Sequence, residues 1–102
     1  MKEITVQELK KKMDQGESFH LIDVREPHEY EEANIGAQLI PLGDLPDHIE
    51  KLKKWQNEEI IMMCRSGQRS GRAQQLLLDA GFEDVANLTG GILAWKDMEE
   101  EE

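Results

Sequence analysis

The chain reads as an α/β domain, with a mainly parallel central sheet of about five strands and helices on both faces. Three observations predict this. Short apolar runs alternate with helical patterns along the whole length. The run Ile60-Ile61-Met62-Met63 is apolar at every position, as a strand covered on both faces requires. That run is followed by a Ser-Gly turn signal, Ser66-Gly67, before the next helix. At 102 residues the chain is one domain's length, with room for a single hydrophobic core.

Taken in order, Lys2-Glu3-Ile4 predicts a short edge strand. Thr5-Val6-Gln7-Glu8 is a capping box, in which the Thr5 hydroxyl takes the amide three residues on and Glu8 reaches back. Val6, Leu9 and Met13 then form the apolar stripe of a short helix that stops at Gly16. Phe19-His20-Leu21-Ile22-Asp23-Val24 is the next buried strand. Arg25-Glu26-Pro27-His28-Glu29-Tyr30 leaves it through a Pro-led turn into a helical segment. Ile35-Gly36-Ala37-Gln38-Leu39-Ile40-Pro41-Leu42 carries a third strand, ended by Pro41. Asp44 or Pro46 starts a helix with Leu45, Ile49, Leu52 and Trp55 facing inward, and with Glu50 and Lys54 in i,i+4 order outside.

The apolar run 60–63 delivers Cys64 to the polar loop Arg65-Ser66-Gly67-Gln68-Arg69-Ser70. Arg69 or Ser70 opens the following helix, and Gly81 closes it. Val85-Ala86-Asn87-Leu88 is the last strand. Thr89-Gly90-Gly91 turns into a helix through Ile92, Trp95 and Met98. The domain is placed at residues 1–98, and the four glutamates 99–102 are expected as a frayed acidic tail.

Composition removes several classes of partner. A net charge of −10 argues against nucleic acid and against an anionic membrane. No apolar run approaches membrane-spanning length, and no signal-peptide pattern opens the chain. A single cysteine rules out an internal disulfide framework, and a reducing, cytoplasmic setting follows as the expectation. His20, His28 and His48 lack ligand spacing, so no metal is expected.

The chemistry concentrates at Cys64. It sits at the carboxyl end of a strand, where open α/β sheets keep their ligand crevices. A free thiol has a pKa of about 8.5 and is only slightly ionised at neutral pH. Here a helix N-terminus, the loop amides and the cations Arg65, Arg69 and Arg72 all favour the thiolate. Gly67 lets the chain turn through positive φ, and Ser66 and Ser70 supply hydroxyls without bulk.

Blander readings stand beside these. A lone cysteine after an apolar strand is usually a small buried hydrophobe. A first-turn arginine such as Arg69 can simply pair with an acidic neighbour, and Arg72 can be a surface residue. Asp23 reads as a support for the loops through an ion pair with Arg25. Trp95 reads as core, and Gly90 with Gly91 as a backbone turn. The methionines read as gap filler, with Met62 and Met63 as candidates to line a pocket.

Three segments together resemble the single-domain rhodaneses: Leu21-Ile22-Asp23-Val24-Arg25-Glu26-Pro27-His28-Glu29-Tyr30, the loop 64–70, and Gly90-Gly91-Ile92-Leu93-Ala94-Trp95. They cover nearly the whole chain in the family's order. The resemblance implies a rhodanese-like fold and sulfurtransferase chemistry without a cofactor. Cys64 would be the catalytic nucleophile, and residues 65–70 (Arg65, Ser66, Gly67, Gln68, Arg69, Ser70) would hold the persulfide, with Asp23 and Arg25 in support. The donor would be thiosulfate or a persulfide, and the acceptor a thiol or cyanide. The chain departs from the family's frequent Gly-His-Ile, carrying Ala33-Asn34-Ile35 and one residue fewer before Gly36-Ala37.

Two alternatives belong to other classes. One is a sulfur carrier or interaction module with little turnover of its own, suggested by small size and an acidic surface that repels small anions over about 8 Å. The other is a phosphatase or arsenate reductase, whose loop needs five residues between Cys and Arg. Here four residues separate Cys64 from Arg69, and Ser70 stands where that pattern wants Arg. The shorter loop suits one sulfur atom. The sequence leaves the oligomeric state open.

Overall fold

The computed structural model describes residues 1–101. Strands β1 (Glu3–Ile4), β2 (His20–Asp23), β3 (Gln38–Leu39), β4 (Ile60–Met63) and β5 (Val85–Leu88) form one all-parallel sheet in the order β1-β5-β4-β2-β3. Helices α1 (Val6–Asp14) and α5 (Gly91–Glu101) cover one face; α3 (Leu45–Leu52) and α4 (Gln68–Asp79) cover the other. The short α2 (Pro27–Glu32) links β2 to β3.

Strand alternation explains why β4 is apolar throughout. Ile60 and Met62 point into the α3/α4 core, while Ile61 and Met63 point into the α1/α5 core. All four are 0 % exposed. Met62 and Met63 therefore fill two separate cores and do not line a pocket together. From β2 the chain moves outward to β3, and from β4 it moves the other way to β5. The carboxyl ends of β2 and β4 thus flank the switch in winding direction, the place where open α/β sheets in general bind their ligands.

Local chemistry fixes the element ends. The Thr5 hydroxyl accepts the Glu8 amide at 3.1 Å, and Glu8 Oε1 accepts the Thr5 amide at 3.1 Å, so the capping box is complete. Gly81, at φ 95°, closes α4 as the Phe82 amide reaches back to the Leu77 carbonyl.

The structure corrects several expectations. Helix α4 opens at Gln68, with Gly67 as its N-cap, ahead of Arg69 and Ser70. Strand β3 is confined to Gln38–Leu39: Gly36 turns at φ 82° before it, and after it the Ile40 and Leu42 amides bond to the adjacent carbonyls of Asp23 and Val24, which breaks the two-residue step of a parallel ladder. Met13 is 37 % exposed, leaving Val6 and Leu9 as the buried stripe of α1. Glu50 pairs with Lys53 at 3.6 Å, not with Lys54. Helix α3 ends at Leu52, and the following 3₁₀ turn carries the Lys54 ammonium to 5.1 Å from the Trp55 ring. Helix α5 continues to Glu101, so Glu99, Glu100 and Glu101 are exposed helix rather than frayed chain, and Glu102 lies outside the described residues. Among the described residues, no helix is long and apolar enough to cross a membrane.

Candidate active site at the end of the central strand

Cys64 directly follows β4, and its loop is held from behind by α5. The Ile92 amide donates to the Cys64 carbonyl at 3.0 Å, and the Leu93 amide to the Arg65 carbonyl at 3.2 Å. A side chain at Gly91 would collide with the Cys64 and Arg65 carbonyl oxygens. The glycine pair therefore does more than turn the chain: it lets a helix N-terminus dock on loop carbonyls. A trans peptide sets each carbonyl opposite the next amide. Drawing the Arg65 carbonyl toward α5 turns the Ser66 amide the other way, toward the sulfur.

The sulfur collects the opposite set of groups. Cys64 Sγ accepts the Gly67 amide at 3.1 Å and lies 3.3 Å from the Ser70 hydroxyl. Gly67 stands at φ 109°, the left-handed region that glycine adopts without strain. Burial pushes the thiol pKa up. The Ser70 hydroxyl and the amides of Ser70, Gly67 and Ser66 outweigh it and hold the thiol below its ordinary value. The site also lies at the start of the twelve-residue α4, whose dipole favours an anion there. Cys64 is 1 % exposed, so the resting sulfur is covered by its own loop.

Sequence reasoning missed Asn87, which sits behind the loop on β5. Its Nδ2 donates to the Gly67 carbonyl at 3.0 Å, which turns Oδ1 toward the Ser70 hydroxyl at 2.5 Å. Ser70 has one proton and two acceptors in reach, Asn87 Oδ1 and Cys64 Sγ. Of the two, an ionised sulfur is the stronger acceptor. A polar residue inside the otherwise apolar Val85–Leu88 was the available signal.

The arginines divide into two kinds. Arg25, 4 % exposed, makes three contacts of 2.8–3.1 Å with the Asp23 carboxylate and also donates to the Ala33 carbonyl at 2.8 Å. That buried pair fastens the end of α2 to β2. Glu29, on α2, takes Arg69 in a two-pronged ion pair of 2.6 and 2.9 Å. Arg65 and Arg72 are exposed and make no ion pair among the described residues. Of the three loop-side arginines, Arg69 is the one held by a carboxylate, that of Glu29. Ser66 and Gln68 are exposed on the loop, and Ser70 is buried beneath it.

Comparison with known proteins gives the family. The family described as Rhodanese-like domain matches residues 5–98. The chain belongs to the rhodanese-like family. Bacillus subtilis strain 168 supplies two relatives. One, designated the sulfurtransferase YtwF, is 40 % identical over 97 residues, covering 94 % of this chain and 91 % of that protein. The other, designated the sulfur carrier YrkF, is 39 % identical over 94 residues, covering 91 % of this chain but 50 % of that protein. The chain thus spans half of YrkF and nearly all of YtwF. A rhodanese-like domain protein from Staphylococcus aureus superposes with a TM-score of 0.85 at 34 % identity, covering 93 % of this chain and 91 % of the other.

Proposed function

We propose that this rhodanese-like protein transfers sulfane sulfur through a persulfide on Cys64. The observation that carries the reading is the convergence of the Gly67 amide and the Ser70 hydroxyl on one sulfur at the N-terminus of α4. In the first half-reaction the thiolate attacks the outer sulfur of the donor, and the S–S bond of the donor breaks. Thiosulfate leaves as sulfite; an organic persulfide leaves as a thiol after taking up one proton. In the second half, cyanide or a thiolate attacks the outer sulfur of the enzyme persulfide, and the Cys64 thiolate is restored. The amides of Ser66, Gly67 and Ser70 stabilise the terminal sulfur anion as an oxyanion hole stabilises oxygen.

The remaining roles follow from position. Because Cys64 is covered, the donor presents only its terminal sulfur, and its bulk rests over the exposed Arg65, Ser66 and Gln68. Asp23 and Arg25 act at one remove, by fixing α2 beside the loop. No cofactor takes part in these steps. A reducing compartment such as the cytoplasm keeps the thiol available.

Mass measurement after incubation with thiosulfate and with an organic persulfide is the test. One added sulfur atom at Cys64, released by cyanide and absent in Cys64→Ser, is the expected result. No adduct from either donor overturns the reading. A second reading, a sulfur carrier, is favoured by the acidic chain and by the designation of YrkF. It predicts one stoichiometric loading and slow release to small acceptors, where an enzyme turns over repeatedly.

A further inference from the structure

Arg69 sits in the first turn after the cysteine loop, and the charges of Cys64 and Asp23 both reach it. A planar guanidinium in that place is a natural fork for a sulfonate. It is already filled. Both of its terminal nitrogens engage the two oxygens of Glu29, at 2.6 and 2.9 Å, across 40 residues of sequence. The two side chains are only 31 % and 19 % exposed. We propose that Glu29 is a specificity-determining latch: by occupying the Arg69 guanidinium it turns the site away from thiosulfate and toward organic persulfides. The inference rests on the sulfur-transfer reading and names the donor class within it.

The physical case is one of charge. Thiosulfate approaches as a dianion and departs as sulfite, also doubly charged. Beside Glu29 it meets a neutralised arginine and a carboxylate that repels it. Arg69 holds that carboxyl down to about 2, so the latch stays charged throughout the working pH range. An organic persulfide carries at most one negative charge; its protonated form reacts with the same thiolate, and its leaving thiolate takes up a proton. It has no need of the fork.

Glu29→Gln isolates the effect. Glutamine keeps the shape and the Oε1 that accepts the Glu26 amide at 3.0 Å, a role glutamine fills in capping boxes. The measurement is the rate of Cys64 persulfide formation, by quenched mass spectrometry, with thiosulfate and with the persulfide of 2-mercaptoethanol. The ratio of the two rates cancels any change in the thiolate itself. In Glu29→Gln the ratio should move toward thiosulfate on the order of tenfold, as loss of one nearby like charge predicts. In an Arg69→Met background the same change still removes the repulsion but frees no guanidinium, so the ratio should move less than with Arg69 present, whereas a merely structural role of Glu29 would move neither ratio. An unmoved ratio, with both donors still loading Cys64, overturns the latch and leaves sulfur transfer intact. If the unaltered protein loads from neither donor, both readings fall together.

Discussion

The two ends of the parallel sheet are both rich in polar groups, yet they use them differently. At the amino end, Lys2 bridges Glu59 and Asp84 at 3.0 and 2.7 Å, and Lys12 bridges Glu59 and Glu17 at 2.9 and 3.3 Å. At the carboxyl end, the Asp23–Arg25 pair is buried, and loop amides and a hydroxyl meet at one sulfur. Lys2 is 47 % exposed, whereas Asp23 is 0 % exposed. Charges in water are screened and exchange partners; groups held out of water impose a fixed potential on their neighbours. Burial, more than the number of charges, separates a solvated rim from a site that can tune a thiol.

Gly91→Ala should break this contrast most severely. The new methyl would meet the Cys64 and Arg65 carbonyl oxygens, which are backbone atoms unable to swing aside. Gly91 also stands at φ 54°, so the substitution adds conformational strain. A loss of more than about 4 kcal/mol is expected, of the size reserved for core disruption. Urea denaturation would measure it. A loss under about 1 kcal/mol would mean that α5 does not hold the loop.

Arg25→Met should come next. It leaves the Asp23 carboxylate buried without its partner, and removes the donor to the Ala33 carbonyl. Breaking a buried pair from one side costs about 3–5 kcal/mol. Pairing it with Asp23→Asn should recover part of that loss, and absence of any recovery would show that the pair is not the origin of the penalty.

How far the sequence was legible follows the same division between near and distant contacts. The β4–loop–α4 unit could be read because its determinants are contiguous: the apolar run, Gly67 for the turn and Gly81 for the stop. The short β3 could not be bounded, since Gly36 and Pro41 interrupt an apolar pattern that still enters both cores through Ala37 and Ile40. The site's distant supports were hidden for another reason. Glu29 meets Arg69, Asn87 meets Ser70 and Gly91 meets Cys64 only because separate elements pack together. Nothing local to Glu29 marked it as Arg69's partner, whereas Asn87 was at least conspicuous in an apolar strand.

Ser70→Ala sharpens the comparison without unfolding the chain. Its hydroxyl is one of the groups that draw the Cys64 pKa down against burial, so its removal should raise that pKa. A hydrogen bond to a charged atom is worth about 1.5 kcal/mol or more, which corresponds to about one pH unit. The midpoint of iodoacetamide alkylation against pH should rise accordingly. An unchanged midpoint would show that the proton stays with Asn87 in the thiolate as well, and that the amides alone hold the anion.

Lys12→Met, at the opposite end, should have the smallest effect and therefore tests the comparison from the other side. Burial pushes the Glu59 carboxyl up, but hydrogen bonds from Lys12 and Lys2 outweigh it and leave the pKa lowered. A carboxyl whose folded pKa lies below its unfolded value adds stability above the unfolded pKa of about 4.3 and loses it as the pH falls through the folded value. Removing Lys12 reduces that contribution, so stability at neutral pH should fall by less than about 1 kcal/mol and the acid limb should become shallower. The neutral-pH difference should shrink further in high salt, because these groups are partly exposed. A loss above about 2 kcal/mol that salt does not diminish would place this pair with the buried Arg25–Asp23 pair. Exposure would then cease to explain why only one end of the sheet carries a tuned thiol.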